Sequence, residues 1–271
     1  MIGFLKRKLD SQSKTLFKNS SWVFFSNLFG VGLTFLRAII IARGLGAELF
    51  GIYTVIVAFI ITVMEILNLN LGTAIIKFGA QYKHENRIDK IVALIKGSLV
   101  ATFLMAAASL LVVTILTYTN YDTFIKAPDL RWFAICYTIA AGGLLLNQVS
   151  RSSLRLYFKF KLNSIIQMIM DVIELALIAS ALYLWPGHLP VFMIAILFSR
   201  LVNSIIPAIA AFNELKPEFT GYMNAKTSLL KDQFKTIRVF VINNSFSRTI
   251  QSLINNGDVL LIGVLAPSPT Q

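Results

Sequence analysis

Apolar residues run through this chain in blocks of about twenty, each closed by a short polar segment, and that is the length a helix needs to cross a bilayer core of about 30 Å. Seven such blocks stand out, at residues 20–42, 50–70, 91–117, 131–149, 164–184, 191–211 and 240–265. The third is long enough to tilt or to begin outside the hydrocarbon. Between the first two lies a short elbow, Arg43-Gly44-Leu45-Gly46-Ala47-Glu48, inside the stretch Leu36 to Phe59. It has room only for a tight turn at a membrane surface, so the pattern predicts a helical hairpin in lipid. The fold class expected is all-α and polytopic, with about seven transmembrane helices.

The polar intervals organise the rest. Residues 1–19 form a basic, amphipathic N-terminal segment, and 20–212 a six-helix bundle. Residues 213–239 are a linker carrying Pro217 and Gly221 as breakers. After them comes an amphipathic stretch with Leu229, Leu230, Phe234 and Ile237, expected to lie along the membrane surface. Residues 240–271 then hold one further helix. A secretory signal is a poor account of the first block, because a signal core spans only about 7–15 residues.

Composition sharpens this picture. Hydrophobic residues make up 56% of the chain and charged ones 14%, with mean hydropathy +0.71; a soluble domain carries about 25% charged residues. The single Cys136 excludes an internal disulfide. With His84 and His188 far apart, no metal site and no cofactor are expected. The net charge of +12 raises nucleic acid as a partner, but the basic residues lie in short loops between apolar blocks, which points to orientation in a membrane instead. Of the 25 Lys and Arg residues, eighteen fall in 1–19, 71–90, 150–163 and 212–239. The alternate segments hold only Arg43, Lys126 and the boundary residue Arg131. This asymmetry predicts a cytoplasmic N-terminus.

Charges inside the blocks are the candidate chemistry. Lys96, near a helix end, can snorkel. Arg37, Arg200 and Arg248, with Glu65, Asp171, Glu174 and Asp258, lie deeper, where a charge costs about 2.5–3.5 kcal/mol even on translocon scales and must face protein or a wet cavity. At about 1.5 Å per residue, Glu174 and Arg200 lie at matching depths in consecutive antiparallel helices, roughly 15 Å and 16 Å from one surface. Asp171 shares a face with Glu174, and by depth its partner is Asn203. Arg37 matches Asp258. The plain reading is static pairs that glue helices together. Taken as a set, the residues favour a polar lumen. In it, Arg37, Arg200 and Arg248 are candidates to meet an anion, since a guanidinium presents forked donors suited to phosphate. Glu65, Asp171, Glu174 and Asp258 are candidates for coupling H⁺ or Na⁺, or for pairing the arginines. Asn27, Asn68, Asn70, Asn147, Asn203, Asn243, Asn244, Asn255 and Asn256 read as interhelical hydrogen-bonding groups. Gly30, Gly32, Gly142 and Gly143 read as close-packing or kink positions.

The hairpin Ala42-Arg43-Gly44-Leu45-Gly46-Ala47-Glu48-Leu49-Phe50-Gly51-Ile52-Tyr53 resembles the opening signature of the bacterial polysaccharide-biosynthesis membrane proteins. These are the O-antigen or repeat-unit flippases of the multidrug/oligosaccharidyl-lipid/polysaccharide exporter superfamily. Leu69-Asn70-Leu71-Gly72-Thr73-Ala74 is similar to the motif that ends their second helix, although Asp-Leu-Gly-Leu often stands there. The resemblance implies two six-helix bundles related by a parallel repeat. It implies a transporter, not an enzyme, in the bacterial cytoplasmic membrane, carrying polyprenyl-diphosphate-linked oligosaccharide to the outer leaflet by alternating access. Membrane lipids and other polysaccharide-assembly membrane proteins are the further partners it implies. A shift of 220 residues sets Leu45-Gly46-Ala47-Glu48 over Leu265-Ala266-Pro267-Ser268, so the last helix reads as the counterpart of the first and the chain as an N-terminal portion.

Three other readings remain. A drug or organic-cation antiporter of the same superfamily predicts a lumen dominated by acids and aromatics. A lipid-linked peptidoglycan-precursor flippase fits a cationic lumen equally well. A membrane-embedded glycan-assembly enzyme needs an extramembrane catalytic loop or an Asp-x-Asp metal motif, and the sequence shows neither.

Overall fold

A computed structural model of the chain describes residues 2–119, 130–222 and 224–265, with side chains for 21–119, 130–222, 224–251 and 254. The helices are α1 (Ile2–Leu67), α2 (Leu71–His84), α3 (Ile88–Thr119), α4 (Arg131–Leu156), α5 (Phe160–Leu184), α6 (Leu189–Leu215) and α7 (Phe234–Leu265). Two 3-10 segments, Pro217–Phe219 and Thr227–Gln233, precede α7, and no strand occurs among the described residues. The fold is all-α and polytopic.

α1 is a hairpin. Gly46, at φ 79° and ψ 169°, is its non-helical residue, in a backbone region open essentially to glycine alone. Arg37 and Glu65 would lie about 42 Å apart along a straight helix, yet both line one cavity. Ile41 and Leu45 of the first arm join Ile56, Ile60 and Val63 of the second in a core with Ile178, Phe192 and Ile196. Ser21–His84, at 64 residues, is thus long enough for two passes.

Burial runs opposite to hydropathy, as lipid solvent requires. In its most apolar window α3 has mean hydropathy 2.5 with 22% of residues buried, whereas α4 has 1.4 with 56% buried. α4 is the central helix, packed against α2, α3 and α6, and its polar residues face neighbours. Phe24, Phe103 and Leu111 point outward. Ser21–His84, α3, α4, α5 and α6 are each long and apolar enough to span. α7 begins with a mixed polar stretch, Arg238, Asn243, Asn244 and Arg248.

Two intervals expected as loops are helices, and the linker has a protein partner. The second block ends about where expected, with α1 stopping at Leu67, but the break at Asn68–Asn70 leads into a helix and not a loop: α2, whose Leu71, Ile75, Phe78 and Tyr82 are buried. Its lysines sit at the rim, with Lys77 Nζ 4.0 Å from the Phe240 ring centroid. α4 likewise continues past residue 149 to Leu156, because the polar residues of its last two turns face a cavity rather than lipid. The linker, finally, docks on protein. Leu230, Ile237 and Phe219 pack against the core around Phe78, Tyr82 and Ile91, the Tyr82 hydroxyl donates to Gln233 Oε1, and Lys96 Nζ donates to the Ala225 carbonyl. Its amphipathic face finds the α2–α3 edge, and Phe234 and Ile237 belong to α7. The second elbow expected at residues 265–268 reaches beyond the described residues, and Lys126 lies outside them.

Candidate functional site: a cationic cavity around Glu174

Glu174 lies midway along α5, 3% exposed. One oxygen, Oε1, forms ion pairs with Arg37 Nη1 of α1 at 2.5 Å and with Arg200 Nη2 of α6 at 3.2 Å. A carboxylate neutralises one of the two guanidinium charges, so the cluster keeps a positive excess. Arg200 also stands 6.0 Å from the centroid of the Tyr137 ring, and Tyr53 packs edge-on against Phe192 nearby. These rings close the cluster on its apolar side.

On its other side the cluster opens into a cavity of about 470 Å³. Arg37, Arg151, Arg155, Arg200 and Arg248 line it, against Glu65, Asp171 and Glu174. Asn68, Asn70, Asn147, Gln148, Gln167 and Asn203 supply the neutral polar wall. Several buried polar atoms here have no protein partner: Arg200 Nε, Asn70 Nδ2, Asn147 Oδ1 and Asp171 Oδ2. In a membrane interior such atoms are costly unless a polar ligand or water meets them.

The helix break supplies part of that wall. Asn70 adopts the left-handed conformation, φ 44° and ψ 48°, which Asn tolerates better than most residues. Its backbone N–H is satisfied by Asn68 Oδ1 at 2.9 Å, and its own Oδ1 accepts from Gln148 Nε2 of α4 at 2.5 Å. Irregular backbone at membrane depth is tolerated where it lines a cavity. The motif resembling the end of a helix stands where α1 ends and α2 begins. Gly72 follows because a Cβ there would strike Ser152 and Gln148 of α4.

Of the candidates read from sequence, Arg37, Arg200, Arg248, Glu65, Asp171 and Glu174 all line this cavity. The Glu174–Arg200 pair forms as depth suggested. Arg37 meets Glu174, because the first arm of α1 packs along α5. The side chain of Asp258 lies outside the described residues, as do those of Asn255 and Asn256. Asp171 does not meet Asn203. Its Oδ1 accepts from Gln167 Nε2 at 2.7 Å, one turn away, while Asn203 faces α4, where its carbonyl accepts from Asn147 Nδ2 at 3.0 Å. Asn244 of α7 donates to Thr73 Oγ1 at 2.7 Å. Arg151 and Arg155, which the charge count places in a polar interval, also line the cavity from the last turns of α4. Their spacing of four from Asn147 and from each other was the available signal.

The signature hairpin is scaffold. Leu45 is buried, Gly44 sits where a Cβ would strike Leu182, and Phe50 and Tyr53 pack on the core. Gly51 meets nothing, and Arg43 and Glu48 are exposed. Among the described residues no group of three His, Cys, Asp or Glu is placed to hold a metal. A family model described as polysaccharide biosynthesis protein matches residues 16–269. No curated protein and no solved structure matches the chain.

Proposed function

Because this chain belongs to the polysaccharide biosynthesis protein family, we propose that it acts as a flippase. In this reading it moves polyprenyl-diphosphate-linked oligosaccharide repeat units to the outer leaflet of a bacterial cytoplasmic membrane by alternating access. The units serve O-antigen, capsule or exopolysaccharide synthesis, the N-terminus is cytoplasmic, and no covalent chemistry is done. The observation that carries the reading is the cavity's cation excess, five arginines against three carboxylates.

A diphosphate fits that excess. Glu174 offers Arg37 and Arg200 one shared oxygen, whereas a diphosphate presents many acceptors to forked donors and competes well for both. Glu174 then acts as the resident anion that keeps the arginines paired between substrates. Asp171, with an unpartnered oxygen, and Glu65 are the groups we assign to H⁺ or Na⁺ coupling. A cation antiporter fits poorly, because its substrate would face a net positive wall. Transport of a lipid-linked peptidoglycan precursor is supported by the same arginines and is separated by experiment.

The test is rescue of surface-glycan export in a strain lacking its repeat-unit flippase, using the full-length gene. Export is expected with the wild type and lost with Arg200→Ala plus Arg248→Ala at equal protein abundance. Unimpaired export by the double variant defeats the lumen-arginine proposal. Rescue of a strain depleted of its peptidoglycan-precursor flippase, without rescue of glycan export, selects the second substrate.

A further inference from the structure

A second cavity, about 630 Å³, lies beside the first, between the first arm of α1 and the start of α5. The two share four lining residues: Arg151, Arg155, Gln167 and Asp171. Arg151 and Arg155 are one helical turn apart, so they present to the same face of α4. Among the described residues neither forms a salt bridge, and Arg151 Nη2 reaches Asn203 Oδ1 only at 3.5 Å. Asp171 is the carboxylate at this junction, and it leaves a net positive charge there.

The walls of the second cavity differ in kind. Its floor is polar, with Ser26 Oγ donating to Ser164 Oγ at 3.2 Å. Its α1 side carries an apolar stripe in which Val31 and Phe35 are each 68% exposed. Two arginines without a salt bridge among the described residues thus stand where a cavity with one apolar side meets the polar central one. An amphiphile whose charge lies between a hydrocarbon and a sugar matches that order.

We infer that Arg151 and Arg155 form a receiving station for a polyprenyl diphosphate, with the isoprenoid against Val31 and Phe35 and the sugar in the central cavity. This station rests on the flippase reading and extends it. From it the diphosphate passes along the cavity to Arg37 and Arg200. A free phosphate would use the arginines without needing the stripe, and a neutral lipid would use the stripe without the arginines.

The experiment places a photoreactive phenylalanine analogue at Phe35 of the full-length protein in membranes and exposes it to radiolabelled polyprenyl-diphosphate oligosaccharide. Phe246 on α7, equally exposed and away from both cavities, is the control position. Labelling is expected at Phe35 well above Phe246, to fall about tenfold in Arg151→Gln plus Arg155→Gln, the loss of one charge-assisted contact or more, and to return in the double Lys variant. The return separates a charge effect from misfolding. Labelling at Phe35 equal to Phe246, or unchanged in the Gln variant, overturns the station. If the wild type restores export while labelling ignores the arginines, the station alone fails. Charge-dependent labelling in a protein that restores no export defeats the flippase reading alone.

Discussion

Arg37 on α1 and Glu174 on α5 form an ion pair across 2.5 Å, joining residues far apart in sequence through a carboxylate that Arg200 also uses. Removing one partner of a buried pair leaves an uncompensated charge, at a cost of about 3–5 kcal/mol. Glu174→Ala, which strands two arginines, is therefore expected to lower the thermal midpoint of the detergent-solubilised protein more than Arg37→Ala does. The double variant should recover part of the loss, because the sites are coupled. Strict additivity in that cycle would show that the pair is not the tie it looks like.

Helix depth and helix rotation explain what was legible. Glu174 and Arg200 lie on consecutive antiparallel helices joined by a four-residue turn, so counting residues from one surface is enough to match them. Counting says nothing about which way a side chain faces, and so it does not single out Glu174 as the partner that Arg37 meets on α5. The same limit separated Asp171 from Asn203. Lys and Arg residues beyond an apolar block were read as loop, yet α2 and the end of α4 are helices whose basic residues face rings or a cavity. The hairpin was readable because its break needs a residue, Gly46, that almost no other can replace.

That break gives a test of backbone alone. A Cβ at Gly46 meets nothing within 4 Å, so Gly46→Ala acts only through its φ of 79°, at an expected cost of about 1–3 kcal/mol. Gly51 is equally open but helical, and Gly51→Ala should be neutral or stabilising by up to about 1 kcal/mol. Thermal unfolding of both variants checks the contrast, and equal midpoints would deny that the elbow depends on glycine.

Close approach, not conformation, constrains Gly143. A Cβ there would collide with the Ser204 side chain of α6. Gly143→Ala is expected to cost about 1–3 kcal/mol by overpacking, and adding Ser204→Gly should relieve most of it. Gly32, which meets nothing, serves as the control. An unaltered midpoint for Gly143→Ala would mean that α4 and α6 can separate freely.

At the α2–α3 turn, the Asp89 carboxyl is held below its usual range chiefly by donation from Arg87, at 2.9 and 3.0 Å. A folded-state pKa lowered in this way gives a contribution present above the ordinary carboxylate value of about 3.9 and lost as pH falls through the lower one. The pair is exposed, so the effect is small and confined to the turn. The protection factor of the Lys90 and Ile91 amides, which donate to the Arg87 carbonyl, should fall below about pH 3.9. In Arg87→Ala that pH dependence should largely disappear, because the folded-state pKa of Asp89 then returns toward its unfolded value. Exchange indifferent to that substitution would remove the pair from the turn's stability.

Asn70 joins backbone and cavity in one residue. Its left-handed φ of 44° disfavours β-branched side chains, and its Oδ1 holds Gln148 of α4. Asn70→Gly keeps the conformation and drops the contact; Asn70→Val loses both. Glycine is expected to leave folding nearly intact but to reduce glycan export by the full-length protein, because the Gln148 amide is no longer fixed at the cavity wall. Valine should lower stability as well, by about 1–3 kcal/mol for a residue forced into a sparsely populated region. Gln148→Leu is expected to match the glycine variant in export, since each removes one side of the same hydrogen bond. If glycine and wild type export alike while valine fails, the break matters only as a bend, and the polar wall beside Asn70 takes no part in handling substrate.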